Sequence, residues 1–166
     1  PKTTWRALDL AEADLGPVLE GADALVHLAW AFHPTRQPVQ TWKVNVLGTI
    51  RAIATAAAAG VRTIVHASSV AAYSPGPAEP RATESWPTHA LPTAAYGREK
   101  SYVERALDTF EARNPAVRVV RLRTAFVFQR RAAAEQRRIF AGPFVPGWLL
   151  RSPRLPVVPL PAGLRV

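Results

Sequence analysis

The sequence predicts an α/β fold in which helices cover a parallel sheet. Three segments, at residues 23–29, 64–67 and 117–123, are predicted to be strands, and the first two are apolar enough to be buried. Between them lie two long segments with helical character, at residues 40–59 and 94–113. Strands that alternate with helices are typical of parallel sheets, because neighbouring parallel strands need long crossover connections.

The composition bounds the class of protein. With 166 residues, of which 48% are hydrophobic, the chain has one domain's worth of sequence. The absence of cysteine excludes a disulfide framework and thiol chemistry. No apolar run reaches the roughly 18 residues that a membrane helix needs, and the chain does not open with a signal peptide. We therefore expect a soluble, cytoplasmic protein without a membrane partner.

The formal net charge of +9 raises nucleic acid as a possible partner. Much of this charge lies in residues 129–166, which hold seven arginines and a single acid, Glu135. The aromatic residues of this segment lie in an apolar stretch broken by prolines rather than between the arginines. We therefore expect no nucleic-acid partner, and interpret the arginines as surface charge or as contacts for anions.

Tyr96 and Lys100 lie four residues apart in the predicted helix at 94–113. This spacing places both on one helical face, about 5–6 Å apart at their Cβ atoms. A neighbouring ammonium favours the phenolate form of a tyrosine, which suits general acid–base chemistry. Taken alone, the pair equally fits an ordinary surface of an amphipathic helix.

The periodicity of this helix separates the two interpretations. Its apolar stripe consists of Tyr96, Lys100, Val103, Leu107 and Phe110. Its charged face consists of Arg98, Glu99, Arg105 and Asp108. A lysine that faces inwards needs a partner or a task, because lysine is almost never fully buried otherwise.

Ser68 and Ser69 follow directly on the predicted strand at 64–67. Open α/β sheets bind their ligands at the carboxyl ends of their strands, so a serine at this point is a candidate site residue. No Gly-x-Ser-x-Gly sequence surrounds Ser69, which excludes the nucleophile elbow of serine hydrolases.

A strand-end serine followed by this tyrosine and lysine resembles the short-chain dehydrogenase/reductase superfamily. More narrowly it resembles the extended branch, the NAD-dependent epimerase/dehydratase group. Further matching stretches are Val-His-Leu-Ala at 26–29, Asn-Val-Leu-Gly-Thr at 45–49 and Leu-Arg at 122–123. The resemblance covers about residues 5–128. It implies a Rossmann-like doubly wound parallel sheet, with residues 1–128 as a partial NAD(P)-binding domain and residues 129–166 as a truncated, Arg/Pro-rich substrate-side segment.

The resemblance also implies roles for four residues. Tyr96 would exchange a proton with a substrate hydroxyl or carbonyl oxygen while hydride moves to or from the nicotinamide. Ser69, which stands at the family position in preference to Ser68, would hold that oxygen. Lys100 would contact the cofactor ribose and polarise Tyr96. Asn45 would bond backbone near the site and help to hold a water for proton relay; otherwise it is an exposed residue of a helix face.

The expected cofactor is NAD or NADP, and the resemblance places its adenine beside Asp9 and Leu10. Taken alone, Asp9 is a loop or N-cap residue. Residues 5–8 before it are predicted to form a short strand, and residues 11–20 after it a brief helix that ends at Gly21.

The ribose and nicotinamide are expected beside Leu28, Ala29 and Trp30, with Ala125 lining the nicotinamide. Trp30 is larger than the small residue usual in the family, so it either narrows the pocket or points outwards. His27 and His33 lack an acidic or thiol partner, so no metal site is predicted.

The sequence departs from the family pattern at several points. No set of glycines fits the phosphate-binding fingerprint. The chain has no methionine and begins at Pro1, so we expect it to be a partial chain that is inactive in isolation. Val70 and Ala71 replace the Asp-Glu pair of the dehydratases, which leaves oxidoreduction or epimerisation of a small-molecule substrate such as a sugar nucleotide. The alternative is a non-catalytic dinucleotide sensor or scaffold. The helices at 40–59 and 94–113 are expected to form a homodimer bundle.

Overall fold

The computed structural model describes residues 2–31, 37–76, 82–127 and 129. The chain divides into two compact units, Pro1–Ala125 and Phe126–Val166. All the elements described below belong to the first unit. Apart from Gln129, the Arg/Pro-rich segment at 129–166 lies outside the described residues, so the assignment of this segment as a substrate-side region stays a prediction. His33 also lies outside the described residues.

The centre of the first unit is a parallel sheet of three strands, which confirms the predicted fold class. Strands β1 (Ala24–His27), β2 (Thr63–Ala67) and β3 (Arg118–Leu122) follow one another in the order β1-β2-β3. Their register pairs His27 with His66, and Ala67 with Leu122. The carboxyl ends of β2 and β3 therefore lie side by side, at the point where Ser68 and Ser69 leave the sheet.

Strand β1 differs from the central, buried strand that its composition predicts. It is only four residues long, and among the described residues it pairs with β2 alone. Val26 is consequently 58% exposed. The apolar run predicted a strand correctly, but composition does not reveal which neighbours a strand has.

The structure contradicts the strand predicted at residues 5–8. These residues have no regular secondary structure, and Trp5 is 91% exposed. A short extended segment is stable as a strand only when a neighbouring strand takes its backbone hydrogen bonds. None of the described strands lies beside it.

The helices follow the predicted periodicity, with one addition. Helix α2 (Pro38–Thr41) passes through a π-helical segment (Trp42–Leu47) into α3 (Gly48–Ala58), so the predicted helix at 40–59 is confirmed as one continuous helical run. Helix α4 (Ala95–Arg113) matches the prediction at 94–113. The π-helical turns, in which Asn45 lies, were not predicted.

The brief helix predicted at residues 11–20 is shorter in the structure. Only α1 (Gly16–Leu19) is helical, and it follows a turn in which the amides of Glu12 and Ala13 donate to the Asp9 carbonyl. Gly21 has a φ of 72°, and Gly60, which follows α3, has a φ of 84°. Both glycines therefore adopt the left-handed conformation that ends a helix, as predicted for Gly21.

The hydrophobic core lies where α3 and α4 cover one face of the sheet. Ile64, Val103 and Leu107 are essentially inaccessible to solvent, which confirms the apolar stripe of α4. Glu99 was assigned to the charged face and is buried instead. Its carboxylate accepts from Thr41 and Asn45 on the neighbouring helical run, and these contacts hold it inside.

Candidate active site at the carboxyl end of β2

Ser69 begins the turn that leaves the sheet. Its backbone is extended, and its Oγ accepts from the Ala71 amide at 3.1 Å, which caps the 3₁₀ helix Val70–Ala72. The hydroxyl accepts this bond and therefore keeps its own proton for donation to another oxygen. The capping bond fixes the position of the side chain, which is buried at the rim of the site.

Gly97 brings the first turn of α4 against the 3₁₀ helix. A Cβ at this position would lie 2.7 Å from the Ala71 carbonyl oxygen and 3.2 Å from the Ala90 Cβ. Real Cβ atoms essentially never approach so closely to a backbone oxygen. Glycine at position 97 therefore allows α4, which carries Tyr96, to contact the 3₁₀ helix that follows Ser69.

Lys100 faces inwards, as the periodicity predicts, and is only 3% exposed. Its Nζ donates to the Ala67 carbonyl oxygen at 2.6 Å, at the carboxyl end of β2. The same atom lies 3.3 Å from the centre of the Trp30 ring and 5.8 Å from the centre of the Tyr96 ring. Burial lowers the pKa of the Lys100 ammonium to about 8, although the charges of Glu104 and Glu99 oppose this shift.

Trp30 points into the site, which excludes the outward orientation that the sequence left open. Its ring stands edge-on to the ring of Tyr96, with centroids 6.0 Å apart. The indole N–H is buried and has no hydrogen-bond partner among the described residues. The neighbouring Leu28 and Ala29 are exposed beyond the end of β1.

Asn45 is buried, so its interpretation as an exposed residue of a helix face is wrong. Its Oδ1 accepts from the Ala31 amide at 2.7 Å, and its Nδ2 donates to the Ala31 carbonyl at 3.2 Å. Nδ2 also donates to Glu99 at 2.8 Å. Asn45 thus joins the chain after β1 to helix α4. Its predicted part in holding a water stays a prediction.

Asp9 and Leu10 lie in a turn packed on α3. Asp9 Oδ1 accepts from the Ala11 amide at 2.7 Å, which is the local contact expected of a loop residue. The Leu10 carbonyl accepts from the guanidinium of Arg51. A Cβ on Gly48 would meet the Leu10 side chain at 3.3 Å, so this turn rests closely on the start of α3. The adenine contact predicted for both residues stays a prediction.

Ala125 follows β3 and is exposed. The carbonyl of the preceding Thr124 accepts from the Val70 amide at 3.1 Å. This bond holds the chain that leaves β3 beside the turn that follows Ser69. It places Ala125 at the same edge of the sheet, whereas its contact with a nicotinamide stays a prediction.

Glu104 is a site-supporting residue that the sequence reasoning missed. It is fully buried one helical turn after Lys100, and accepts from the Ser68 hydroxyl at 2.5 Å. Arg123 bonds both carboxylate oxygens at 2.9 Å, and Arg121 adds a bond at 3.2 Å. Burial alone would raise the pKa of the carboxyl, but these bonds and charges outweigh burial and lower it to about 2. The available signal was the presence of three arginines on the strand predicted at 117–123, of which Arg121 and Arg123 bond Glu104.

Arg123 extends this cluster to the loop after the 3₁₀ helix. Its guanidinium donates to the Tyr73 hydroxyl at 3.2 Å and to the Glu84 carbonyl at 2.7 Å. Bonding to Glu104 raises the pKa of Arg123 further, so its charge is permanent. The ends of β2 and β3, helix α4 and this loop therefore meet at one ion pair.

His27 and His66 lie side by side under α4, with ring centroids 5.5 Å apart. None of their ring nitrogens has a partner among the described residues. Burial lowers the pKa of both, that of His66 to about 3, so both are neutral. The described ranges contain no group of three or more His, Cys, Asp or Glu residues that could hold a metal ion. They also contain no helix that is long and apolar enough to cross a membrane.

Comparison with known proteins shows which family this chain resembles. The family model described as "NAD dependent epimerase/dehydratase family" matches residues 2–146. An uncharacterised protein of Sinorhizobium fredii, y4nL, is 36% identical over 110 residues, which are 66% of this chain and 30% of that protein.

Solved structures that share the fold include the following three. A short-chain dehydrogenase/reductase superfamily protein of Agrobacterium tumefaciens with bound NAD is 32% identical, with a TM-score of 0.61 over 69% of this chain and 35% of that chain. UDP-N-acetylglucosamine 4-epimerase of Methanobrevibacter ruminantium, in complex with UDP-N-acetylmuramic acid, is 25% identical (TM-score 0.62; 70% and 37%). UDP-glucose-4-epimerase of Stenotrophomonas maltophila, with bound NAD and formylated UDP-arabinopyranose, is also 25% identical (TM-score 0.58; 70% and 35%).

The present chain spans about a third of the length of these relatives. The family model nevertheless covers most of it, and the parallel sheet agrees with the solved structures. The chain therefore belongs to the NAD-dependent epimerase/dehydratase family.

Proposed function

We propose that the full-length protein is an NAD(P)-dependent oxidoreductase or epimerase that acts on a hydroxyl or carbonyl group of a sugar nucleotide or a similar small molecule. The observation that carries this proposal is the position of Lys100. Its buried ammonium is bonded to the end of β2 and lies close to the Tyr96 ring, at the sheet edge where Ser69 begins. The UDP-sugar ligands of two of the relatives support the substrate class.

The residues at this edge of the sheet fit the ribose and nicotinamide end of a dinucleotide. Lys100 supplies donors for ribose hydroxyls, and the exposed Leu28 and Ala29 leave the end of β1 accessible. The described residues provide no glycine-rich turn for the pyrophosphate. The nicotinamide ring, when bound, supplies the acceptor or donor of hydride.

Each residue then has a distinct task in the proposed reaction. Ser69 donates its hydroxyl proton in a hydrogen bond to the reacting substrate oxygen. Tyr96 takes the proton of a substrate hydroxyl during oxidation, and returns it to the carbonyl oxygen during reduction. The Lys100 ammonium lies beside Tyr96 and orients the ribose. Asn45 and Glu99 hold the chain after β1, on which Trp30 lies.

A titration with NADH and NADPH tests this proposal. Binding is followed by energy transfer from tryptophan to the reduced nicotinamide, first with this chain and then with a chain extended at its N-terminus by a glycine-rich strand–turn–helix. We expect the extended chain to bind one of the two cofactors, and Lys100→Met to weaken that binding. Retained binding without Tyr96-dependent turnover of UDP-sugars would favour a dinucleotide sensor. Absence of binding in both chains would contradict the proposal.

A further inference from the structure

The Trp30 indole occupies the junction between the two residues at the centre of the proposed reaction. It contacts the Lys100 ammonium through its face and forms a T-shaped pair with the Tyr96 ring. Lys100 and Tyr96 are therefore both contacted by one side chain, which lies in the chain segment after β1.

The distance between the ammonium and the ring indicates direct contact. At 3.3 Å from the ring centroid, Nζ lies on the negative face of the indole, and cation–π attraction is strongest where the cation is shielded from water. Lys100 as a whole is 3% exposed, and its Nζ also donates to the Ala67 carbonyl. The indole therefore covers the ammonium on the side where its ring lies.

This arrangement leaves the indole itself unsatisfied. A buried tryptophan N–H usually finds an acceptor, but Trp30 Nε1 has none in the described part of the chain. Movement of the indole towards water or towards a ligand oxygen would supply one. The covered state is thus stabilised by the cation–π contact and opposed by an unmade hydrogen bond.

We propose that Trp30 is a displaceable cover over Lys100, and that a dinucleotide ribose must displace the indole before its hydroxyls reach the ammonium. The proposal rests on the proposed function, because it assigns the covered ammonium to the cofactor ribose. The covered fraction lowers the apparent affinity for the cofactor, since only the uncovered fraction of molecules can bind. The cover thereby sets the cofactor affinity of the site.

The first measurement concerns the cover without a ligand. Trace acetylation with acetic anhydride is quantified at Lys100 by mass spectrometry over a range of pH, which gives the labelling rate of the free amine separately from its pKa, with the exposed Lys43 as the internal reference. We expect Trp30→Ala and the bulkier Trp30→Leu to raise the relative labelling of Lys100 at least about threefold. Trp42→Leu is the control, because Trp42 is a partly buried tryptophan that pairs with the Tyr102 ring and not with Tyr96. This substitution should leave the labelling of Lys100 unchanged. Circular dichroism confirms that each variant is folded.

The second measurement is NADH binding, followed by the fluorescence anisotropy of NADH in the N-terminally extended chain. The dissociation constant should fall at least about threefold in Trp30→Leu and stay constant in Trp42→Leu. Unchanged labelling of Lys100 in both Trp30 variants overturns the cover. Binding of NADH that is indifferent to Trp30 also overturns it, while leaving the proposed function standing. Failure of every variant and of the wild type to bind NADH overturns both.

Discussion

At the scale of single residues, Glu104 joins the end of β2 to the arginines of β3. It receives bonds from Ser68, Arg121 and Arg123 while being fully buried. Removal of one partner from a buried ion pair leaves the other charge uncompensated. Ser68 is the chain neighbour of Ser69, so loss of the bond between Ser68 and Glu104 would also shift Ser69 in the candidate site.

We therefore expect Glu104→Gln to lower the free energy of unfolding by about 3–5 kcal/mol. Glu111→Gln is the matched control. Glu111 lies on the same helix as Glu104 and also bonds Arg121, but its side chain is partly exposed. The cost of this substitution should stay below about 1 kcal/mol. Urea unfolding at pH 7 measures both. Equal effects of the two substitutions would contradict the importance of the buried bonds.

The stabilisation that Glu104 provides should depend on pH, and the direction of this dependence follows from the shift of its pKa. The pKa of Glu104 is lower in the folded chain, at about 2, than its ordinary value of 4.5, so the unfolded chain binds more protons between these values. The stabilisation by Glu104 is complete above pH 4.5 and is lost as the pH falls towards 2. The difference between wild type and Glu104→Gln should shrink over this range.

His66 carries a second residue-scale prediction. Its folded pKa of about 3 lies below the ordinary 6.5, so protons bind preferentially to the unfolded chain in this window. Stability should fall as the pH drops from 6.5, by up to about 1.4 kcal/mol per pH unit for one such group. His66→Leu should be less sensitive to acid between pH 6.5 and 4.5, whereas the exposed His89→Asn should follow the wild type. Parallel urea-unfolding profiles for all three proteins would refute this.

At the scale of elements, the contact between α4 and the 3₁₀ helix sets the position of Tyr96. Gly97→Ala should destabilise the fold by about 1–3 kcal/mol, although alanine favours helices more than glycine does. The reason is that the new Cβ meets the Ala71 carbonyl at 2.7 Å. Thr109→Ala, at an exposed position of the same helix, should change stability by less than about 0.5 kcal/mol. Thermal unfolding compares the two, and an unchanged or raised midpoint for Gly97→Ala would exclude the close contact.

The same elements show how far sequence reasoning reached. Periodicity predicted α4 and the inward direction of Lys100, because a helix repeats its burial every three to four residues. It placed Glu99 on the wrong face and overlooked Glu104, because burial of an acid depends on partners from distant elements, here Asn45 and Arg123. The strand at residues 5–8 failed for a related reason: a sequence pattern contains no information about whether a neighbouring strand is present.

At the scale of the whole molecule, α3 and α4 present an apolar groove of about 590 Å³ near their ends. Its lining includes Ile50, Ala54, Ala57, Ala106 and Phe110. The homodimer bundle predicted from the sequence would use this surface. Small residues on one helical run and apolar ones on its neighbour allow the close approach of a second pair of helices.

We expect the protein to be a dimer by light scattering, and Ala54→Arg to convert it to a monomer. The substitution places a long charged side chain at the groove. Ala112→Arg, at an exposed position of α4 that does not line the groove, is the matched control and should remain dimeric. A wild-type monomer, or a dimer that tolerates Ala54→Arg, would contradict this use of the groove.

The parallel register of the sheet has a consequence for the time course of folding. Ala24 pairs with Thr63, and Thr63 pairs with Arg118, so the contacts between the three described strands join distant parts of the chain. Such contacts form slowly, because the entropy cost of closing a long loop comes before the stabilisation by the strand contacts. The helices, whose contacts are local, can form before the sheet does. We therefore expect the edge of the sheet that gathers Ser69, Tyr96 and Lys100 to be assembled in the last steps of folding.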